Sequence, residues 1–368
     1  MASVQLRHIQ HRFGETLALD GFDLNVDSGD YVVLLGENGC GKTTALRVIA
    51  GLEKPNRGSV FVDGRCMDGV PPRNRSVGMV FQSSSLYPHL TAGQNISFGL
   101  KPSPAIHRAI ELVEVGRLLD RYPGQLSGGQ LRRVAIAKAI AGEHPIRLLD
   151  EPLSALDIMT GRRLERELMH VHRTVGGTTI HVTHDASEAV RVADKIAVMH
   201  QGRLLQFDSP KLIDAQPSSI HVANLIGTAP MNWLAALVCD NTLRFENRAV
   251  EAKGDWSTFL NRFPKLPARV LVGVRPDCFR PTHGDVNQAR LSVHTHNAKR
   301  RDLGHSSTWL SSLSQNTSGE PSFAEQNFCA AIADARSIIA ADQFDAAADD
   351  ALLFDAESGL AIKRSVAR

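Results

Sequence analysis

The stretch "YVVLLGENGCGKTTALRVIA", from Tyr31 to Ala50, sets five apolar residues against a glycine-rich loop and then a helix-forming run. Gly36-Glu37-Asn38-Gly39-Cys40-Gly41-Lys42-Thr43 has the spacing G-x-x-x-x-G-K-[ST], directly after a strand and directly before a helix that Gly51 ends. The reason for that spacing is physical. Glycines permit the positive-φ turns that aim successive backbone N–H groups inward, and the helix start adds the positive end of its dipole. A Lys at position 42 reaches the β- and γ-phosphates of a nucleotide, and the Thr43 hydroxyl can ligate Mg²⁺, with Thr44 completing the first turn. The same field is expected to favour the thiolate of Cys40 and make it reactive.

Outward from this loop the chain alternates. "VQLRHIQ", "FDLNV" and "SVFVDG" read as short strands, and "PIRLLD", "TTIHVTH" and "DKIAVMHQGRLLQF" alternate with helical segments around 132–141, 161–174 and 186–192. That pattern predicts a mostly parallel α/β sheet with helices on its faces. Between Gln82 and Gln125 the texture becomes helical and punctuated by Pro88, Pro102, Pro104 and Pro123, which reads as an inserted helical subdomain at about 83–142. Beyond Pro230 it turns β-rich, with "ARVLVGVRP" and "ALLFDAESGLAIKR" as the clearest strands. The Ser-rich "GHSSTWLSSLSQNTSGEPS" reads as a loop or a poorly packed strand pair. The expected division is 1–229 and 230–368.

Composition narrows the partners. At 368 residues and 43% hydrophobic the chain can bury two cores. Forty-one Lys+Arg against thirty-nine Asp+Glu leave a net charge of +2, which argues for no nucleic acid and no anionic membrane surface. The pairs and triplets Arg132-Arg133 and Lys299-Arg300-Arg301 read as solvated faces. Five cysteines, with no zinc or redox spacing, fit a reducing cytosol. The amino terminus lacks the apolar core of a signal peptide, and no run reaches the length of a membrane-spanning helix.

Two further constellations carry chemistry. In "IRLLDEP" an apolar strand ends in two carboxylates: Asp150 is placed to hold Mg²⁺ through water, and Glu151 to accept a proton from an attacking water. Arg147 interrupts that strand and is expected to snorkel to an edge or meet a carboxylate. In "LSGGQ" a second glycine loop, Ser127-Gly128-Gly129-Gln130, opens another helix and could also bind an anion through its backbone.

The phosphate loop, "LSGGQ", "LLDEP", "SALD" and "VTHD" follow in this order over roughly the first 230 residues, and in that order the chain resembles the nucleotide-binding subunits of ATP-binding cassette (ABC) transporters. "GTAPMNWL", "VGVRPD" and "FDAESGLAI" further resemble importer ATPases of the sugar and sn-glycerol-3-phosphate type. The resemblance implies a P-loop NTPase cassette, a mixed sheet core with a helical subdomain, followed by a smaller β-rich, OB-like regulatory domain of the TOBE kind. It implies ATP and Mg²⁺ as ligands. By the same resemblance Phe13 stacks on adenine, Gln82 touches Mg²⁺ or the attacking water, and His184 contacts the γ-phosphate, while Asp185 caps the next helix.

Asp157 would cross to a second subunit, and the Ser127–Gln130 loop would close on that subunit's ATP in a two-fold dimer. Two transmembrane permease subunits and a periplasmic or extracellular solute-binding protein are the implied partners, at the cytoplasmic face of the membrane, with the region of Tyr87, Pro88 and His89 as docking surface. Ferric-ion, polyamine and sulfate importers share this architecture. A soluble, non-transport ABC ATPase fits less well, since the chain has neither an internal repeat nor sustained heptads. The segment 98–126 is shorter than that family's usual helical pair, and Leu131 stands where a polar residue is usual.

Overall fold

The computed structural model describes residues 2–82, 86–154, 156–227, 231–240, 242–247, 250–281, 289–294, 299–302, 307–313, 326–332 and 343–363. The chain forms two compact units, Met1–Ile213 and Asp214–Arg368. In the first, the elements run β1 (Val4–Phe13), β2 (Thr16–Val26), β3 (Tyr31–Leu35), α1 (Lys42–Ala50), β4 (Arg57–Val62), β5 (Arg65–Cys66), β6 (Val77–Val80), α2 (Ala92–Ser97) and α3 (Pro104–Leu112). They continue as α4 (Gly128–Ala141), β7 (Ile146–Asp150), α5 (Ile158–Val175), β8 (Thr178–Thr183), α6 (Ala186–Val192), β9 (Lys195–His200) and β10 (Arg203–Asp208).

Two sheets result. An antiparallel sheet has the order β2-β1-β4-β5, and a six-stranded sheet has the order β10-β9-β3-β8-β7-β6. In the larger sheet β9, β3, β8, β7 and β6 are parallel, and only β10 is antiparallel, at an edge. Every residue of β3, β7 and β8 is buried. That is the signature of parallel strands covered on both faces, and it explains why β3 reads as a continuous apolar run, while β7 and β8 bury polar side chains as well.

One core lies between β3, β8 and α1, where Val32, Leu34, Ala45, Leu46, Ile49, Leu148 and Ile180 pack. Another gathers α4 and α5 with the helical insert through Val134, Ile136, Ile140, Leu164, Leu168, Ile96 and Ala109. The insert is pinned at its entrance by Asn95. This fully buried side chain accepts from Tyr87 N–H at 2.7 Å and donates to the carbonyls of Tyr87, Leu90 and Thr91. Thr91 and Gln94 close a capping box at the start of α2.

Two arginines hold backbone rather than carboxylates. Arg147 is buried in β7 and donates to the carbonyl of Gly176, so it neither snorkels nor meets an acid. The free carbonyl at the end of α5 is the partner that periodicity does not show. Arg75 reaches the last turn of α1, donating to the carbonyls of Val48 (2.9 Å) and Ile49 (3.0 Å), and also to Val70 (3.0 Å) and Met67 (2.9 Å). It adds to the cap that Gly51 and Leu52 make through the carbonyls of Arg47 and Val48.

Among the described residues the strand pairs of the second unit are antiparallel. Sheets built on Asn232–Cys239 with Arg269–Val274, and on Arg290–His294 with Gln343–Ala347, share a core of Leu234, Trp256, Phe259, Val272, Leu291, Val293 and Leu353. This compact unit begins at Asp214, and the chain is tied into it from Ser218 onward. Ile220 N–H donates to Gly359 O, and Ala361 N–H to Ser218 O, at 3.0 and 3.1 Å. Of the Ser-rich run, Ser307–Leu313 is a strand paired on both sides, with Lys299–Asp302 and Gln326–Ile332. The rest of that run, residues 333–342 and the side chains of 299–302, 307–313 and 326–332 lie outside the described residues. Among the described residues no helix is long and apolar enough to cross a membrane.

Arg75→Ala removes four hydrogen bonds to backbone carbonyls, of which those of Val48 and Met67 keep a backbone donor from Gly51 and Val70, and should lower the stability of the first unit by about 1–3 kcal/mol. Urea unfolding followed by circular dichroism measures that loss.

Candidate nucleotide-binding and hydrolysis site

Parallel strands end on one edge, and the residues that follow β3, β6, β7 and β8 therefore collect there. From β3 comes the phosphate loop. Gly41 has φ 105° and a Cβ there would sit 2.3 Å from Ala18 O; one at Gly36 would sit 2.4 Å from Met199 O. No other residue fits these two positions, and Gly39 adds a third left-handed turn at φ 81°. Lys42 is buried, and its Nζ donates to the carbonyls of Gly36 and Glu37, both at 2.8 Å. The ammonium thus holds the loop curled around itself.

Cys40 departs from the expectation. Its side chain packs inside the loop at 7% exposure, and burial pushes the thiol up, against a smaller opposing pull from Lys42. Desolvation outweighs the local field, so the thiolate is disfavoured.

From β7 come the two acids. Asp150 is 2% exposed and accepts a hydrogen bond from Thr43 Oγ1 at 2.9 Å. Burial pushes its carboxyl above the ordinary value, with the Thr43 bond acting the other way. Glu151 turns out of the strand at φ 45°, its N–H donating to Val182 O at 3.0 Å. Its carboxylate accepts from Gln82 Nε2 at 2.8 Å, and His184 Nδ1 lies 3.5 Å from its other oxygen. Gln82 and His184 are therefore gathered around the carboxylate of Glu151. Asp185 caps α6 through the N–H groups of Ser187 (2.8 Å) and Glu188 (3.2 Å).

The second glycine loop is built differently. Ser127 is the N-cap of α4, and it closes a capping box with Gln130 at 3.0 and 3.4 Å; Gly128 and Gly129 form the first turn. A Cβ at Gly129 would lie 3.0 Å from Thr160 Cγ2, so this turn abuts the start of α5. There Asp157 caps Thr160 N–H at 3.0 Å. These side chains satisfy each other locally rather than bonding to the phosphate loop. Phe13, at the end of β1, is 46% exposed, with its ring near-perpendicular to that of His11 at 4.6 Å between centroids.

Sequence reasoning missed several groups. Arg132 is 6% exposed and not part of a solvated face, and it donates to the carbonyls of Phe81 and Glu151. Arg133 pairs with Glu167 of α5 at 2.9 Å. Beneath His184, buried His181 links Tyr31 (3.0 Å) to Glu188 (2.9 Å), which Thr183 also holds at 2.8 Å. The signal for the last set was polar residues inside a run otherwise buried.

Mg²⁺ fits this donor set. A hydroxyl and a buried carboxylate 2.9 Å apart are hard oxygen donors in a place where a negative charge is poorly solvated. Among the described residues no group of three His, Cys, Asp or Glu side chains is assembled for a metal, so the remaining ligands would be phosphate oxygens and water.

A parallel sheet whose edge carries a phosphate loop, a strand-end acid pair and a flanking histidine defines a P-loop nucleoside triphosphatase. Residues 19–154 match the ABC transporter family model. The chain is 40% identical over 292 residues to the trehalose/maltose import ATP-binding protein MalK of Thermococcus litoralis, over 75% of this chain and 78% of that one. It is 38% identical over 293 residues to the maltose/maltodextrin import ATP-binding protein MalK of Escherichia coli K12, over 77% and 79%.

Solved structures agree. The ATP-binding cassette MJ0796, in a dimeric post-hydrolysis state bound to ADP and Pi, superposes with a TM-score of 0.52 at 32% identity, over 56% of this chain and 98% of that one. cbiO1 from Clostridium perfringens, part of the ABC transporter complex cbiONQ, does so with 0.54 at 28%, over 58% and 90%. The chain belongs to the MalK-type family of ABC-transporter ATPase subunits, and it is an ATP-binding and ATP-hydrolysing enzyme with a cassette followed by a smaller β-rich domain.

Asp150 supplies a stability test. Because its folded carboxyl is held above the ordinary 3.8, ionisation destabilises the unliganded fold at neutral pH, and that cost disappears as pH falls through the raised value and below 3.8. Asp150→Asn should therefore raise the melting temperature of the nucleotide-free chain in chelator at pH 7, lose that advantage near pH 3.5, and abolish Mg²⁺-dependent ATP hydrolysis. Thermal unfolding across pH, with a phosphate-release assay, checks all three.

Proposed function

We propose that the chain is the ATPase of an importer, working as a two-fold dimer in which ATP binding and hydrolysis open and close the pair and drive a sugar, polyol or glycerol phosphate across a membrane. The observation that carries this reading is the grouping of Gln82, Glu151 and His184 beside Thr43 and Asp150. The names of the maltose and trehalose relatives favour a sugar as cargo.

The chain's residues divide the work. Lys42 exchanges the carbonyls of Gly36 and Glu37 for β- and γ-phosphate oxygens, which gives it charge-assisted partners in place of neutral ones. Phe13 offers its exposed ring to adenine, and Gly36 to Thr44 wrap the phosphates. Thr43, Asp150 and Gln82 would hold Mg²⁺, which supplies neutralisation of the charge that develops on the transferred phosphoryl group.

Glu151 takes the proton from the attacking water, with Gln82 fixing one carboxylate oxygen and His184 facing the other and the γ-phosphate. Ser127, Gly128, Gly129 and Gln130 close on the ATP of the second subunit, and Asp157 meets that subunit across the interface. The dimeric MJ0796 cassettes support this arrangement.

The helical insert around Tyr87 and Phe98 is the docking face for two permease subunits. Their rings lie 4.6 Å apart, both are exposed, and Lys138 sits over the Tyr87 ring at 4.6 Å. A solute-binding protein delivers cargo on the other side of the membrane. The ATPase sits peripherally at the cytoplasmic face, and the β-rich domain after residue 229 serves regulation.

Glu151→Gln keeps the hydrogen-bonding shape of the side chain and removes its basicity. Turnover should fall at least about a hundredfold, ATP affinity should hold, and saturating Mg-ATP should convert the chain to a species of twice its mass in sedimentation velocity. A monomer under those conditions contradicts the proposal.

A further inference from the structure

Arg132 lies in the first turns of α4, two residues beyond Gln130, and it is buried against the end of the sheet. Its Nη1 donates to Phe81 O and its Nη2 to Glu151 O, both at 2.5 Å. These are not arbitrary carbonyls. Phe81 is the residue before Gln82, and Glu151 is the candidate base itself. A planar fork that spans two backbone acceptors fixes their separation, as a flexible ammonium would not.

Glu151 needs such a hold. A non-glycine residue at φ 45° is in a sparsely populated region and stays there only where its surroundings over-determine it. Here the carbonyl of Glu151 accepts from Arg132, from Ser154 Oγ at 2.8 Å and from Ser154 N–H at 3.2 Å, while its N–H is taken by Val182 O. The Ser154 bonds come from within the same turn and the Val182 bond from the next strand. The Arg132 bond comes from the helix that the second glycine loop opens. Burial disfavours the charged guanidinium, and Asp150 and Glu151 offset that cost in part.

We propose that Arg132 is a positioning residue that couples the Ser127–Gln130 loop to the hydrolytic centre of its own chain, setting Gln82 and Glu151 through the backbone carbonyls beside and within them. A shift of α4, as its first turn closes on a neighbouring nucleotide, is transmitted by the guanidinium to both carbonyls. Hydrolysis in one site thereby depends on contact made by the same chain with the other. This rests on the proposed function for the dimer, but the link between Arg132 and the two carbonyls stands in the single chain.

The test uses the full chain with Arg132→Met and Arg132→Lys. Arg132→Met should lower kcat about tenfold to a hundredfold, the scale of a misplaced catalytic group, with KM and ATP affinity within about threefold of the parent. Arg132→Lys, able to reach one carbonyl, should recover part of kcat. In the Glu151→Gln background Arg132→Met should add less than about twofold, because both changes act through one carboxylate.

Amide hydrogen exchange on the nucleotide-free chain should speed up at 80–82 and 150–154 and stay unchanged at 36–44. Arg132→Met with kcat within twofold of the parent, a loss that multiplies with that of Glu151→Gln, or exchange that is unaltered at 150–154 would overturn the inference. A parent chain without ATP turnover would instead count against the proposed function, and the exchange measurement would still decide the role of Arg132.

Discussion

The hydrogen bond from Thr43 Oγ1 to Asp150 Oδ1 joins the phosphate loop to the acidic strand end, and the rest of the site depends on the geometry that permits it. Thr43 begins the helix after β3 and Asp150 ends β7, with β8 paired between them. Because all three strands are parallel and buried on both faces, their carboxyl ends share one edge at fixed spacing. The chain needs no loop of special length to bring residues 43, 150 and 184 together. It needs only that each strand stop at the same edge.

Much of this was legible in the residues. The phosphate loop was readable because its demands are local: Gly36 and Gly41 each face a backbone oxygen too close for any Cβ, and the helix start lies in the same eight residues. The parallel sheet was readable because full burial leaves β3 a continuous apolar run. The acid pair and His184 were readable as strand-end groups, and the structure places His184 and Gln82 on opposite oxygens of Glu151.

What was not legible depends on distant partners. Arg75, Arg132 and Arg147 each satisfy backbone carbonyls far away in sequence, and nothing in their neighbours says so. An arginine pair on a helix looks like a solvated face until the sheet end beneath it is known. Cys40 shows competition between two effects, where a field that favours thiolate loses to burial. The tie between Ser218–Ile220 and residues near 360, which draws the start of the second unit to Asp214, is likewise a contact between distant segments that the local sequence does not display.

The two glycine loops differ in what they leave unsatisfied. In the first, Lys42 is bonded to neutral carbonyls that a phosphate can replace. In the second, Ser127 and Gln130 already satisfy each other, and the turn is firmly capped at the start of a 14-residue helix. One loop is built to rearrange around a ligand and the other to be presented to it, which suits a site assembled from two copies. The most direct measurement is a crosslink between chains carrying Asn38→Cys and chains carrying Ser127→Cys, in a background without the native reactive thiols. The account predicts an interchain product with a short bifunctional reagent only when Mg-ATP is present. No interchain product at saturating Mg-ATP, or one formed equally without nucleotide, would contradict it.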